Sequence, residues 1–286
     1  MLRIQTTFRA SRRRILNAAV LLAFLPFGIF EADAQTVESI KKGGVLKVGA
    51  QVAQVPWGFT DAGGKLTGFD IEVMEMLAKE LGVKAEFTGV TPANRTAALL
   101  TGQVDVLAAV MGIFADRQKV VLFARPYATI DNIIIGKAEA SIKGWGDAKG
   151  LRVGVPRGNP IDVAATKASP PGATIQRFDD DSTAVQALIA GQVDVMGGAA
   201  TQVPNIAKVA GPGKFVEKFV VSRAYAGFAV RPDAKEWGNY LSAFVTKKIE
   251  SGELAALFKK WIGAELPQLP VTGDGPEALP LEMAKN

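Results

Sequence analysis

The sequence of 286 residues contains no cysteine and no histidine. The absence of cysteine excludes disulfide bonds, thiol nucleophiles and lipid attachment to an N-terminal cysteine. The two absences together exclude Cys/His zinc sites, Ser-His-Asp triads and imidazole-based pH switches. We therefore expect a protein that uses no metal and no cofactor.

The chain begins with an export signal. Five arginines precede an apolar run from Ala18 to Phe30, and Ala32-Asp33-Ala34 follows that run. This pattern predicts a signal peptide over residues 1–34 that is cleaved after Ala34. The apolar run is short and contains Pro26, which argues against a permanent membrane anchor. The pair Arg12-Arg13 also resembles a twin-arginine signal, so the route of export stays open.

Little net charge remains once the signal is set aside. Residues 1–34 hold five of the 33 basic and two of the 28 acidic residues, which leaves a net charge of +2. The remaining Lys, Asp and Glu residues are interspersed, whereas nucleic-acid binding needs basic residues gathered on one surface. We therefore expect no nucleic-acid partner. An exported chain without a lipid anchor is expected to be a freely diffusing monomer in the periplasm.

Eight residues of the chain occur twice in nearly the same form. LLTGQVDV at Leu99–Val106 returns as LIAGQVDV at Leu188–Val195. Each copy is typical of the last turn of a helix, a glycine that ends it, and a following strand. The repeat predicts two lobes of similar architecture. The alternative is that α/β proteins simply reuse this junction.

Strand and helix patterns alternate from Gly43 onward, which predicts an α/β fold with parallel sheets covered by helices. A turn-rich stretch, residues 143–147, indicates a boundary before a new strand. The Pro-rich tail after Gly263 is expected to be loose. The predicted strands are 45–50, 83–88, 104–110, 151–155, 173–178, 193–196 and 226–230. The predicted helices include 70–82, 182–190, 236–251 and 253–261. A further helix is predicted with Thr91 as its cap, Pro92 as its first residue and its end at Gly102.

A longer motif carries a family resemblance. Gly68-Phe69-Asp70-Ile71-Glu72-Val73, with Leu77-Ala78 and Leu81 after it, resembles the signature of the periplasmic solute-binding proteins of family 3, the receptors of polar amino acid ABC importers. The likeness extends over Gly43 to Ile262. It includes Pro56–Phe59, Asn94-Arg95, Asp116-Arg117, Phe123–Tyr127, Leu151–Gly158 and both copies of the repeat.

The resemblance implies a two-lobed periplasmic-binding-protein fold, in which each lobe has a central, mostly parallel sheet flanked by helices. It implies lobe 1 over 43–128 plus 226–262, lobe 2 over 129–225, and a C-terminal tail over 263–286. The chain would cross twice through a hinge, and a ligand that contacts both lobes would stabilise the closed form. The implied partners are a small-molecule ligand and an ABC permease in the inner membrane.

Arg117 occupies the position at which the family grips the ligand carboxylate. A guanidinium suits that role because its planar fork matches a carboxylate and stays charged when buried. The structural alternative is that Arg117 caps a helix or pairs with a surface acid. Arg95 is a further possible cation, or a solvated surface residue, and Trp57 covers the ligand or packs the lobe. The remaining candidate ligand contacts are Gly112, Met111, Gln51, Gln54, Gly158, Asn159 and Ala199.

The sequence also departs from the family pattern. Gln51 and Ala199 stand where acids usually meet the ligand ammonium, and Pro160 stands where the family has a hydrogen-bond donor. A buried ammonium without a carboxylate partner is costly, so these changes favour a carboxylate-bearing ligand over an ordinary zwitterionic amino acid. Two other functions stay open: an enzyme resembling cyclohexadienyl dehydratase, for which no general acid is apparent, and a sensory receptor.

Overall fold

A computed structural model describes residues 35–280 and 282–283. The predicted signal peptide and its cleavage after Ala34 lie outside the described residues. The helices are α1 (Val37–Gly43), α2 (Phe69–Leu81), α3 (Arg95–Leu100), α4 (Ala115–Gln118), α5 (Pro160–Ala168), α6 (Asp181–Ile189), α7 (Val203–Ala210), α8 (Lys235–Glu250) and α9 (Glu253–Ile262). The strands are β1 (Val45–Ala50), β2 (Ala53–Gln54), β3 (Gly58–Thr60), β4 (Leu66–Thr67), β5 (Lys84–Gly89), β6 (Val106–Ala108), β7 (Leu122–Phe123), β8 (Ala128–Lys137), β9 (Arg152–Pro156), β10 (Thr174–Phe178), β11 (Val195–Ala199), β12 (Phe215–Ala226), β13 (Ala229–Val230) and β14 (Glu282–Met283).

The first lobe is built on a sheet with the strand order β5-β1-β6-β13-β7. Strand β1 runs parallel to β5 and β6, and β13 runs antiparallel to β6 and β7. Helix α2 covers this sheet with an apolar stripe of Val73, Leu77 and Leu81, and the stripe is buried as its helical spacing predicts. Gly82 ends α2 in the left-handed conformation with φ 75°.

The second lobe is built on a sheet with the order β10-β9-β11-β8-β12-β14. Strands β10, β9 and β11 are parallel, whereas β8, β12 and β14 add antiparallel pairings. Strand β8 is buried because its Ile133–Ile135 run is covered on both faces. The α/β fold with two lobes and sheets containing parallel strands is confirmed, and each sheet carries antiparallel strands beside its parallel group.

Two long strands connect the lobes. The chain leaves the first sheet after β7 and enters β8, and it returns from β12 to β13. The ends of the two long strands lie side by side, because Ala128 pairs with Ala226 in an antiparallel register. Two adjacent crossings of this kind allow bending without unfolding.

Both copies of the repeat adopt the predicted helix-glycine-strand structure. Gly102 follows α3 with φ 73°, and Gly191 follows α6 with φ 71°. The aspartate of each copy has the same task. Asp105 Oδ2 accepts the N–H of Lys47 at 2.8 Å, and Asp194 Oδ2 accepts the N–H of Arg152 at 2.8 Å. The repeated pentapeptide therefore joins each strand to its neighbour.

The helix expected to start at Pro92 begins one turn later, at Arg95. Asn94 and Arg95 both donate their N–H groups to the carbonyl of Thr91, and Asn94 Oδ1 accepts the N–H of Thr91 at 2.8 Å. Residues 91–94 therefore form a capping turn before the helix. The strand expected over 226–230 is likewise interrupted: β12 ends at Ala226, and β13 begins at Ala229.

The expectation of a loose C-terminal tail is wrong. Asp274 Oδ1 accepts the N–H of Phe123 at 3.1 Å, and Gln118 Nε2 donates to the carbonyl of Gly273 at 2.9 Å. Farther along the tail, β14 pairs with β12 at the edge of the second sheet. The prolines of the tail remove backbone donors, but the other polar groups of the tail still form hydrogen bonds with the rest of the protein.

Candidate functional site

A narrow cavity of about 20 Å³ lies between the lobes, with room for one or two water molecules. Its polar lining comes from the carboxyl ends of strands and from the first residues of helices, the usual place for ligands in open α/β folds. Lobe 1 contributes Gln51, Gln54 and Arg95, and lobe 2 contributes Asn159, Asp181 and Ala199.

Arg95 is the first residue of α3, and its side chain is buried, with 3% of the residue exposed. Its Nη1 donates to the carbonyl of Ala109 at 2.6 Å. No carboxylate forms an ion pair with it in the described part of the chain. Burial lowers the pKa of the guanidinium to about 9, and the charge of Arg117 acts in the same direction. The group is therefore a cation at neutral pH, with its positive charge at the positive end of a helix dipole.

The two glutamines of the cavity differ in their bonding. Gln51 Nε2 donates to the carbonyl of Ala109 at 2.9 Å, so this carbonyl is shared with Arg95. Gln54 is 5% exposed, and its Oε1 has no hydrogen-bond partner among residues 35–280. An acceptor in this position leaves an unmet requirement for a donor.

Asp70 of the family motif holds the loop beneath the cavity. Its Oδ1 accepts the hydroxyl of Tyr127 at 2.8 Å, and its Oδ2 accepts the N–H of Val110 at 3.0 Å. Val110 has φ 47°, a left-handed conformation that is strained for a β-branched residue. Burial raises the pKa of Asp70 to about 7, whereas both hydrogen bonds and the charge of Arg95 lower it. Asp70 therefore positions the loop rather than facing a ligand.

Arg117 lies on the other side of the same loop. Its Nη1 donates to the carbonyl of Gly112 at 2.9 Å, and its guanidinium carbon lies 5.1 Å from the centre of the Phe114 ring. Burial lowers its pKa to about 10, and the charge of Asp116 raises it. Arg117 lines a second cavity of about 510 Å³, which shares Pro160 with the narrow one. Two guanidiniums thus flank the segment 109–112.

Met111 and Gly112 are buried within this segment, but neither lines the narrow cavity or the second one. Their side chains offer no polar group, so their contribution is limited to backbone amides and carbonyls. Only the carbonyl of Gly112 has an assigned partner in the site, namely Arg117.

On the lobe 2 side, Gly158 and Asn159 form the start of α5. Asn159 is the N-cap of this helix, and its Oδ1 accepts the N–H of Asp162 at 2.7 Å. Asn159 also lines the narrow cavity. Gly158 has φ 77°, and a side chain there would press against the backbone of Ala93 in lobe 1. Ala199, at the end of β11, lines the cavity without a polar group.

Trp57 is fully buried and packs edge-on against Phe69, with ring centres 5.5 Å apart. Its Nε1 donates to Thr201 Oγ1 at 3.0 Å. This bond joins lobe 1 to lobe 2, so Trp57 contributes to the contact between the lobes as well as to the core.

Asp181 lines the narrow cavity although no motif in the sequence marks it as a site residue. It is the first residue of α6 and 4% exposed, and its Oδ1 accepts from Gln202 Nε2 at 2.7 Å. Burial raises its pKa to about 6, with the hydrogen bond from Gln202 and the charge of Arg95 lowering it. Its spacing gave a signal, because Asp181 shares a buried helix face with Ala184 and Leu188.

Asp181 also lines a third cavity of about 250 Å³. This cavity is mostly apolar, with Val185 and Ile206 from lobe 2 and Val55 from lobe 1 in its wall. The narrow cavity therefore has a larger neighbour on each side, reached past Pro160 and past Asp181.

No group of three or more acidic side chains that could hold a metal ion occurs within residues 35–280 and 282–283. In the same part of the chain, no helix is both long and apolar enough to cross a membrane.

Two α/β lobes joined by paired crossing strands, with a polar cavity between them, define a solute-binding protein of the two-lobed type. A model of the bacterial extracellular solute-binding proteins, family 3, matches residues 46–264, and the chain belongs to this family. Its relatives are named as binding proteins, for L-cystine and for L-arginine among others.

The relatives include the L-cystine-binding protein TcyJ of Escherichia coli, which is 30% identical over 238 residues, 82% of this chain and 89% of that protein. Among solved structures, a solute receptor for L-cysteine of Neisseria gonorrhoeae is 28% identical with a TM-score of 0.74, over 87% of this chain and all of that one. An ancestral amino acid-binding protein described as a precursor of cyclohexadienyl dehydratase is 33% identical with a TM-score of 0.73, over 80% of this chain and all of that one.

Proposed function

We propose that the protein is a periplasmic receptor that binds a small, carboxylate-bearing ligand, an amino acid or a related compound, and delivers it to an ABC import permease in the inner membrane. The observation that carries the proposal is Arg95. A buried guanidinium that lines the cavity between the lobes and has, among the described residues, a single carbonyl as its hydrogen-bond partner is a site for an anion.

Arg117, on the other side of segment 109–112, also supports the binding of a carboxylate. It also lacks a carboxylate partner within the described residues, and its single hydrogen bond goes to Gly112. Two cations are therefore candidates for binding the ligand carboxylate: Arg117, by its position in the family pattern, and Arg95, by its deeper burial. In the proposal Arg95 is the principal one, because it is more deeply buried than Arg117 and lines the narrow polar cavity.

Space for the ligand comes from the three adjoining cavities. The narrow cavity alone is too small for an amino acid, whereas its neighbours add about 510 Å³ and about 250 Å³. A ligand held by Arg95 in lobe 1 and by Asn159 or Asp181 in lobe 2 makes contacts that exist only when the lobes are together. Such contacts favour the closed form.

Calorimetric titration of the purified protein tests the proposal, with the twenty L-amino acids and a set of small carboxylates as ligands. At least one of them is expected to bind, and Arg95→Gln is expected to abolish that binding. Arg157→Gln serves as the control, since Arg157 is exposed. Failure of every carboxylate to bind, or equal binding by Arg95→Gln, would reject the proposal.

The periplasmic location and the removal of residues 1–34 belong to the same proposal. Sequencing the N-terminus of protein recovered from the periplasm tests both. A first residue of Gln35 is the expected result, and an intact Met1 would contradict it.

A further inference from the structure

We propose that Tyr127, a hinge residue that lines none of the three cavities, is a positioning residue for ligand binding. It acts on Arg95 through Asp70 and through the peptide bond between residues 109 and 110. The inference rests on the proposed function, in which Arg95 binds the ligand, and adds to it a residue that holds Arg95 in place from the hinge.

Tyr127 has a fixed position at the start of the first crossing strand, directly before β8. It is fully buried, and its ring stacks on that of Phe228 with ring centres 3.9 Å apart. Its N–H donates to the carbonyl of Ala226 at 3.0 Å. Ala226 and Phe228 belong to the second crossing, so the hydroxyl of Tyr127 is placed by both crossings together.

The hydroxyl of Tyr127 acts first on Asp70. It donates to Oδ1 of Asp70 at 2.8 Å, and Oδ2 of Asp70 accepts the N–H of Val110 at 3.0 Å. Burial raises the pKa of Asp70 to about 7, and the hydrogen bond from Tyr127 lowers it. The hydroxyl therefore favours the carboxylate, the form of Asp70 that accepts both hydrogen bonds at once.

Val110 is the residue that this hydrogen bond holds. Its φ of 47° is strained for a β-branched residue, so the left-handed conformation needs a partner that stabilises it. The N–H of Val110 and the carbonyl of Ala109 belong to one planar peptide unit, so Asp70 also sets the direction of that carbonyl. The carbonyl accepts Arg95 Nη1 at 2.6 Å and Gln51 Nε2 at 2.9 Å. A rotated peptide unit would leave both of these buried donors without their acceptor.

The later part of the loop is held by its backbone instead. The N–H of Ile113 donates to the second crossing at 2.8 Å, and the carbonyl of Met111 accepts an N–H from it at 3.1 Å, with both partners in residues 225–227. These two bonds lie beyond Val110. Asp70 is therefore the side chain that links the peptide unit 109–110 to the hinge.

Tyr127→Phe tests the inference, because it removes the hydroxyl and keeps the stacked ring. Hydrogen–deuterium exchange of the ligand-free variant is expected to be at least about 10-fold faster in residues 109–113, with unchanged rates in β1 and β5. Calorimetric titration with the twenty L-amino acids and the small carboxylates is expected to show binding about 10-fold weaker than that of wild type.

Tyr225→Phe is the matched control. Tyr225 is the other tyrosine of the hinge and lies on β12, and its hydroxyl has no hydrogen-bond partner within residues 35–280. This variant is expected to keep the exchange rates and the affinity of wild type.

Val110→Gly provides a rescue that separates positioning from a general effect on stability. Glycine adopts positive φ without strain, so the loop no longer depends on the hold from Asp70. In the Val110→Gly background, Tyr127→Phe is therefore expected to weaken binding by less than about twofold. An equal loss of affinity in both backgrounds would assign Tyr127 a merely structural role and would overturn the inference.

The outcomes also separate the inference from the proposed function. Unchanged exchange of residues 109–113 in Tyr127→Phe would overturn the hold on the loop. Faster exchange with unchanged affinity would overturn the role of Tyr127 in binding. The absence of binding by wild-type protein to every compound titrated would reject the proposed function itself, whatever the exchange rates show.

Discussion

The two copies of the GQVDV repeat share a backbone and differ in what they bring to the cavity. In both, a helix ends at a left-handed glycine, and an aspartate joins the next strand to its neighbour. The helices α3 and α6 start at the same cavity with opposite charges, Arg95 in one and Asp181 in the other. The repeat therefore specifies a scaffold, and residues outside it specify the chemistry.

The comparison also explains why the two charges differ in cost. Asp181 in the first turn of α6 is favoured by the helix dipole, whereas Arg95 in the first turn of α3 is opposed by it. Helix α3, with six residues, is also shorter than α6, with nine. A residue that is unfavourable for its own helix is a stronger indication of function than one that is favourable.

The largest expected effect separates the two arginines that flank segment 109–112. Arg95→Gln should weaken ligand binding by about 100-fold or more, because removing one member of a buried charge pair costs several kcal/mol. Arg117→Gln should have a smaller effect, since Arg117 lines the neighbouring cavity. Calorimetry with any carboxylate that binds gives both values.

The same variant should leave the ligand-free protein at least as stable as wild type. Burial already disfavours the charge of Arg95, so removing that charge relieves the desolvation cost. Thermal unfolding without ligand measures this. A large loss of stability in Arg95→Gln would assign Arg95 a structural role instead.

An effect of intermediate size tests whether the helix-glycine-strand junctions of the two repeat copies are equivalent. Gly102→Ala and Gly191→Ala should each lower the free energy of unfolding by about 1 to 2 kcal/mol, because a Cβ is disfavoured at positive φ. Neither added Cβ meets a close neighbour, so the two losses should be alike. Urea unfolding of both variants makes the comparison, and clearly unequal losses would show that the junctions are not equivalent.

The smallest expected effect is a difference in how the contributions of Asp105 and Asp194 to the free energy of unfolding depend on pH. Burial raises the pKa of Asp105, whereas the hydrogen bond from Arg152 lowers the pKa of Asp194. The contribution of Asp194 is therefore present above its unfolded pKa and lost as pH falls through its folded pKa. The contribution of Asp105 has the opposite sign and becomes less favourable as pH rises from its unfolded toward its folded pKa.

Urea unfolding of Asp105→Asn and Asp194→Asn between acidic and neutral pH measures these slopes. The difference in unfolding free energy between wild type and Asp194→Asn should shrink on acidification, and the difference for Asp105→Asn should grow. The Asp194 effect should be slight, since its pair with Arg152 is exposed to solvent. Slopes of equal sign in the two variants would contradict the comparison.

Much of the fold could be predicted from local pattern. The stripe of α2 and the glycine after it, and both repeat junctions, follow from helical spacing and from the conformation that glycine alone adopts easily. The start of α3 differs from the prediction, because residues 92–94 form a turn that caps the helix and do not belong to its first helical turn. The packing of the tail depends on partners such as Phe123, more than a hundred residues away in sequence.

The site was predictable in its position more than in its chemistry. Family register placed Gln51, Gln54 and Ala199 near the cleft, and they do line the narrow cavity. Local sequence does not reveal whether a charged residue is buried, so it does not distinguish Arg95 from a solvated surface residue and does not mark Asp181 as a site residue. Arg95 is hydrogen-bonded to Ala109 and Asp181 to Gln202, and these partners, 14 and 21 residues away, cannot be identified from a local pattern.

The C-terminal tail contacts both lobes. One end is tied to lobe 1 through Asp274, and the other joins the lobe 2 sheet as β14. The roughly eight residues from Asp274 to Glu282 reach at most about 28 Å when fully extended. The tail therefore connects the two lobes along a third path, separate from the two strands that cross between them.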